Sequence, residues 1–186
     1  MNITVKEFAE IIDSVGDAAK LRKKIISDTY KRTIADDFDL PIKWYRSRKN
    51  ADIKDALALE GVKRGFSVRA EKVMGALPEY CKDSDQILFN RFDLSWEKTR
   101  NSREFTLAVE IEMDINVDSV MKDFRKLINN KSDCLKAMVC QVKNDSEESI
   151  FKSAAKKELL EAPKNVGSYV LSIWSWPRGE FVHYNF

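Results

Sequence analysis

The sequence predicts a single α/β domain: a central mixed sheet of four to six strands flanked by helices, with a helical extension at the N-terminus. Three observations lead there. At 186 residues the chain is of one-domain length and long enough to bury a core without disulfides. Its apolar periodicity is helical up to about residue 64 and alternates from Gly65 onward. Beyond that point, strand-like apolar runs are interrupted by amphipathic helical stretches. Residues 1–50 are assigned to the extension, packed on a core of residues 51–186.

Composition sets the outer bounds. Apolar residues make up 44% and charged residues 33%, the proportions of an ordinary globular chain. No apolar run approaches the roughly 18 residues of a membrane span, and Met1-Asn-Ile-Thr-Val-Lys-Glu7 lacks the pattern of a secretory signal. The expected location is therefore the cytoplasm, with no membrane partner. Three cysteines, Cys81, Cys134 and Cys140, without a C-x-x-C pair, indicate neither a disulfide framework nor a zinc ribbon. A net charge of +2 neither demands nor excludes a polyanion. Locally, Lys43-Trp-Tyr-Arg-Ser-Arg-Lys49 interleaves cations with aromatics, which suits phosphates and bases; a solvated basic connection is the alternative.

The elements follow in order. Thr4-Val-Lys-Glu7 is a capping-box pattern, and Val5, Phe8, Ile12, Val15 and Ala19 continue at helical spacing, so a helix is expected to about residue 30, with a break near Gly16. Residues 35–48, with Pro41, read as a connection. A second helix is expected over 52–64, ending between Gly61 and Gly65, and its stripe Ile53, Leu57, Glu60, Arg64 sets a carboxylate among apolar anchors. Phe66, Val68 and Ala70 alternate as a strand. Gln86 to Leu94 is read as a second strand, Trp96 to Arg103 as a connection, and Glu104 to Glu112 as a third strand hairpinned to the second. A helix over 117–129 buries Val117, Val120, Met121, Phe124, Leu127 and Ile128, and leads to the apolar strand Leu135–Val142, parallel to the third by a right-handed crossover. A helix over 147–161 and two aromatic-rich strands, 168–176 and 180–186, complete the chain. Trp174, Trp176, Phe181, Tyr184 and Phe186 on them are expected to pack as core, an exposed partner surface being the alternative.

Chemistry concentrates on the third strand. Glu110 and Glu112 project from one face, their Cα atoms roughly 7 Å apart, at the carboxyl end of a strand that feeds a crossover helix, where open α/β sheets bind ligands. Asp93 ends the preceding strand. In a simple hairpin the end of one strand meets the beginning of the next, so Asp93 adjoins Glu110 only where a bulge or splaying adjusts the register. If they converge, the carboxylates require a counter-charge, which a hard cation such as magnesium supplies.

The segments Ala58-Leu-Glu60-Gly, Gly65-Phe-Ser-Val-Arg-Ala-Glu71, Arg91-Phe-Asp93-Leu and Leu107-Ala-Val-Glu110-Ile-Glu112, with the helix and apolar strand after them, resemble the core of the PD-(D/E)XK, or restriction-endonuclease-like, nuclease superfamily over residues 52–142. The motifs are short and degenerate, and their order carries the likeness. The resemblance implies a restriction-endonuclease-like fold and a magnesium-dependent endonuclease acting on DNA, with Asp93 and Glu110 on the metal, manganese being the other ion considered. It implies Glu112 where the family usually has its water-activating lysine. Glu112 is then a general base or further ligand, or Lys122 or Lys126 on the following helix supplies the ammonium. Glu60 and Glu71 are supporting candidates, and Lys43, Arg46, Arg48 and Lys49 are candidate phosphate contacts. Cleavage of both strands of a duplex favours a homodimer. The competing expectation is a nuclease-like domain without catalysis, serving as a nucleic-acid-binding or protein-interaction module. The only histidine, His183, is read as structural.

Overall fold

The computed structural model describes residues 2–31, 42–70, 92–100, 102, 104–162 and 166–186. The helices are α1 (Val5–Lys31), α2 (Ile42–Lys63), α3 (Val117–Asn129) and α4 (Asp145–Glu161); the strands are β1 (Ser67–Ala70), β2 (Leu94–Glu97), β3 (Phe105–Glu112), β4 (Leu135–Val142), β5 (Ser168–Ser175) and β6 (Glu180–Asn185). The chain is α/β. Its strands form one open sheet in sequence order, β1 to β6, mixed in sense: β1, β2 and β3 pair antiparallel, β3, β4 and β5 parallel, and β5 with β6 antiparallel. No helix among the described residues is long and apolar enough to cross a membrane.

Alternation along the strands divides the core into two layers. Leu107, Val109 and Ile111 of β3, with Leu135, Ala137 and Val139 of β4, meet Phe8, Ile12 and Val15 of α1 and Ile53, Leu57 and Ala58 of α2. Ala108, Met138, Cys140, Leu171 and Ile173 face the other way, onto Val120, Phe124 and Leu127 of α3 and Phe151 and Ala155 of α4. The β3–α3–β4 and β4–α4–β5 crossovers share one handedness and advance the same way across the sheet, so α3 and α4 lie together on this face. Burial on both faces explains why β4 is apolar along nearly its whole length.

Most local signals act as the sequence suggests. The capping box forms: Glu7 N donates to Thr4 Oγ1 at 3.2 Å and Thr4 N to Glu7 Oε2 at 2.8 Å. Helix α3 has the expected bounds, with the Asn116 side chain accepting from Asp118 N at its start. Three expectations are corrected. Helix α1 runs unbroken through Gly16, because that glycine serves close packing: a Cβ there would lie 2.9 Å from the Trp174 ring and 3.1 Å from Phe181. Residues 42–48, read as connection, belong to α2, which starts just after Pro41, a residue suited to open a helix. The second strand of the sheet is Leu94–Glu97 and so occupies part of the segment read as connection, while residues 86–91 lie outside the described residues.

This last correction has a physical cause. Leu94 and Trp96 are buried toward α2, where the Trp96 indole N–H donates to Leu57 O at 3.1 Å and Phe66 stacks on the ring at 5.5 Å. Glu97, on the opposite face, is buried beside the Arg69 guanidinium of β1 at 3.0 Å. A carboxylate with an arginine across the ladder is tolerated inside a sheet, whereas in isolation it reads as loop.

Gly61, on α2, lies over this tryptophan: a Cβ at that position would stand 2.6 Å from Trp96 Nε1 and 2.7 Å from Val68 Cγ2. Overpacking costs about 1–3 kcal/mol and the gain in helix propensity offsets up to about 1 kcal/mol. Gly61→Ala is therefore expected to lower stability by about 1–2 kcal/mol in urea unfolding; an unchanged or raised midpoint would show that α2 can move off the sheet freely.

Candidate functional site

The late start of β2 decides the geometry of the acidic residues. Leu94 pairs with Val109 antiparallel, so Asp93, one residue earlier, lies level with Glu110. The simple hairpin expectation, in which the aspartate ends a strand and misses the glutamate, is thereby replaced: Asp93 precedes its strand, and the strand ends antiparallel to it meet where Glu110 stands. Asp93 is held by both oxygens. Oδ2 accepts the Ile111 N–H of β3 at 2.8 Å, and Oδ1 accepts from Lys54 Nζ of α2 at 2.8 Å.

Glu110 projects toward α3 with its side chain 3% exposed, and its Oε1 has no hydrogen-bond partner. Lys126 Nζ lies 3.5 Å from that oxygen, within ion-pair range but outside hydrogen-bond geometry, and is held by Asp123 at 2.7 Å. Burial, then the negative charge of Asp93, pushes the Glu110 pKa up to about 8, against the opposing pull of Lys126. Burial works against the charged form of Lys126, but the Asp123 and Glu110 carboxylates outweigh it and hold that pKa above the ordinary value. The centre is thus a close carboxyl pair from adjoining segments, flanked by an ammonium from a helix on each face of the sheet.

The other predicted residues stand apart from this pair. Glu112 is part-exposed on the same face of β3, and its Oε1 accepts the Asp114 N–H at 2.7 Å. Among the described residues no three His, Cys, Asp or Glu side chains are gathered closely enough to hold a metal ion, so the expected trio reduces to the pair Asp93 and Glu110. Glu60 is engaged by Arg64 at 2.8 Å, and Arg64 also holds Glu7 at 2.9 Å, a clasp between the start of α1 and the end of α2. It lies about 9 Å along the helix from Lys54, by six residues of rise. Lys122 is exposed on α3, and Glu71 lies outside the described residues.

The basic cluster does not stand as one exposed patch. Lys43 and Arg46 fall in α2, but their side chains lie outside the described residues. Arg48 is exposed and paired with Asp52 at 3.0 Å. Lys49 is buried, with its ammonium 3.9 Å from the centre of a Trp174 ring, which corrects the expectation that it presents its charge to a ligand. Trp174 and Phe181 pack as core, edge to face at 5.1 Å, as expected, and Tyr184 and Phe186 are half-buried, whereas Trp176 is exposed, which corrects the expectation that it packs as core, and its indole N–H donates to Gln141 Oε1 at 3.2 Å. His183 bridges the wholly buried Ser172 hydroxyl at 2.8 Å and Asp13 of α1 at 3.1 Å, a structural tie as read from sequence. Cys134 and Cys140 are free and buried, and Cys81 lies outside the described residues.

Sequence reasoning missed Lys54 and Asp123. The signal for Lys54 was present: it sits between Ile53 and Leu57 on the apolar side of its helix, where a lysine without a carboxylate partner is costly. Asp123 was concealed as one of many charges on an amphipathic helix. The orphaned, buried Glu110 oxygen beside Asp93 fits a divalent cation, because magnesium is commonly held by one or two carboxylates with water and phosphate oxygens completing its shell. Comparison of the chain with protein-family models, curated proteins and solved structures finds no match.

The state of Glu110 makes stability depend on pH. Its folded pKa of about 8 lies above the ordinary 4.5, so the folded protein holds a proton that the unfolded chain releases; the contribution is fully present below pH 4.5 and is lost as pH rises through 8. Between pH 5 and 9 the wild-type protein should therefore lose about 4 kcal/mol that Glu110→Gln does not, at 1.36 kcal/mol per unit. Urea unfolding at pH 5, 7 and 9 measures this, and parallel profiles for the two proteins would contradict the assignment.

Proposed function

We propose that this protein is a magnesium-dependent endonuclease hydrolysing DNA phosphodiester bonds, built on a restriction-endonuclease-like core. The observation that carries the reading is the level placement of Asp93 and Glu110 across β2 and β3, with a buried Glu110 oxygen left without a hydrogen-bond partner. The connectivity from α2 to β4 supports it: helix, three antiparallel strands, helix and a parallel strand, in the order that the sequence resemblance implies.

In this reading Asp93 and Glu110 hold the ion. When bound, magnesium supplies charge stabilisation at the phosphoryl oxygens and acidifies water. The protein's own residues position the reaction. Ile111 N–H and Lys54 fix the Asp93 carboxylate, Asp123 holds Lys126 beside Glu110, and the α3 side provides the more open approach, since the Lys126 side chain is 43% exposed whereas Lys54 is 6% exposed. Lys126 takes the part of the lysine that β3 lacks at Glu112, placing an ammonium where a phosphate and an attacking water need positive charge.

The second reading, a nuclease-like module without catalysis, is favoured by one observation: Lys54 and Lys126 already compensate the carboxyl pair, so the folded protein does not depend on a cation for charge balance. Supercoiled plasmid separates the two. Nicking is expected with magnesium or manganese, abolished by EDTA, reduced at least about a hundredfold in Asp93→Asn and Glu110→Gln, and reduced in Lys126→Gln but less so in Lys126→Arg. Absence of both nicking and manganese binding by calorimetry, in a folded protein, would favour the module.

A further inference from the structure

Lys54 lies outside the motif pattern and enters the proposed chemistry only through its contact with Asp93. It lies on α2, only 5% exposed, with Ile53 and Leu57 of the same helix fully buried. Helix α2 belongs to the layer opposite α3, so Lys54 reaches Asp93 from the far side of the sheet, while Lys126 reaches Glu110 from the near side. The two contacts differ in kind. Lys54 is 2.8 Å from Asp93 Oδ1 and nearly closed to solvent; Lys126 is 3.5 Å from Glu110 Oε1 and largely open. A buried ammonium is desolvated and anchored by its helix, so its charge stays beside Asp93 whatever else approaches.

We infer that Lys54 is a positioning residue that sets the cation affinity of the site: its fixed ammonium compensates Asp93 in the cation-free protein, and a divalent ion binds against its charge. The inference rests on the metal-binding reading given above. Its consequence follows from Coulomb's law. A single positive charge within a few ångströms of a ligand oxygen repels a divalent ion strongly at low effective dielectric, so the ion alone binds weakly. An anionic phosphodiester contributes the negative charge that offsets this repulsion, and ion and phosphate then bind cooperatively, each raising the affinity for the other. Lys54 thus couples loading of the metal to arrival of the substrate.

The test uses the full chain and manganese as the probe, followed by calorimetry and by the manganese-induced shift in melting temperature. Removing the charge in Lys54→Gln, or Lys54→Met as a second variant, should tighten manganese binding at least tenfold and enlarge the melting shift, even if the cation-free variant is less stable. Lys54→Arg should retain wild-type affinity. A short DNA duplex should raise manganese affinity in wild type by a larger factor than in Lys54→Gln. A residue needed only for folding would instead give weaker binding on removal. Manganese binding by wild type with equal or weaker binding, and no larger melting shift, in both charge-removed variants overturns the role of Lys54 alone. No manganese binding by wild type or any variant overturns the metal reading and this inference together.

Discussion

The antiparallel pairing of a four-residue strand, β2, with residues Phe105 to Val109 of β3 is the constraint on which the candidate site depends. Because side chains alternate, a slip of one residue would turn Leu94 and Trp96 away from α2 and carry Glu97 into the apolar layer. Trp96 prevents the slip: it is fully buried, stacked by Phe66 and hydrogen-bonded to Leu57 O. The largest side chain of the strand therefore fixes the register, and Asp93 comes level with Glu110 as a consequence. Acceptance of the Ile111 N–H by Asp93 then extends the pairing one step past the end of the strand, with a side chain in place of a backbone carbonyl.

Much of the charge inside this fold is handled by local compensation. Lys136 is fully buried and donates to Asn130 O, Val166 O and the Tyr169 hydroxyl, so its three protons are all used. Glu148 is buried and accepts from Arg178 and the Tyr184 hydroxyl, closing α4 onto the strand that ends the chain. Those groups are satisfied by partners that account for burying them. Glu110 has no such set: its Oε1 lacks a hydrogen bond, its neighbour is another carboxylate, and its proton is retained to near neutral pH. Asp55 and Glu97 also leave a buried carboxylate oxygen without a hydrogen-bond partner, so what sets Glu110 apart is its place level with Asp93, with the Lys126 ammonium beside it.

The sequence was most informative where one signal has one meaning. The capping box at Thr4, the stripe of α3 and the crossover from β3 to β4 involve local or strongly periodic patterns, and each appears in the fold as read. It misled where a residue has two uses. Glycine at 16 permits contact with Trp174 as well as breaking helices, and Ser95 and Glu97 resemble a loop unless Arg69 is known to lie across the ladder. The candidate site was legible in its residue types at Asp93, Glu110 and Lys126, but their convergence depends on register, which a single strand's pattern does not specify. Lys54 was invisible as a partner because it is separated by 39 positions from the aspartate it meets.

Lys54 also bears on how, in the proposed nuclease, a strand without the motif lysine of the superfamily it resembles would serve such chemistry. A lysine on β3 itself would share the face of Glu110 and bring its charge to the phosphate and the ion alike. Here position 112 is an acid, turned to the Asp114 N–H, and positive charge arrives instead from two helices on opposite faces. One is buried and fixed against Asp93; the other is open and beside Glu110. In the proposed nuclease this division would separate two tasks that a single lysine combines, the buried ammonium acting on Asp93 and the exposed one, held by Asp123, facing the side from which a phosphate would approach. The division also requires α2, the helix that joins the extension to the core, to form part of the site. Helix α2 is then a functional component of the proposed nuclease core, through Lys54, which reaches the aspartate from the layer opposite α3.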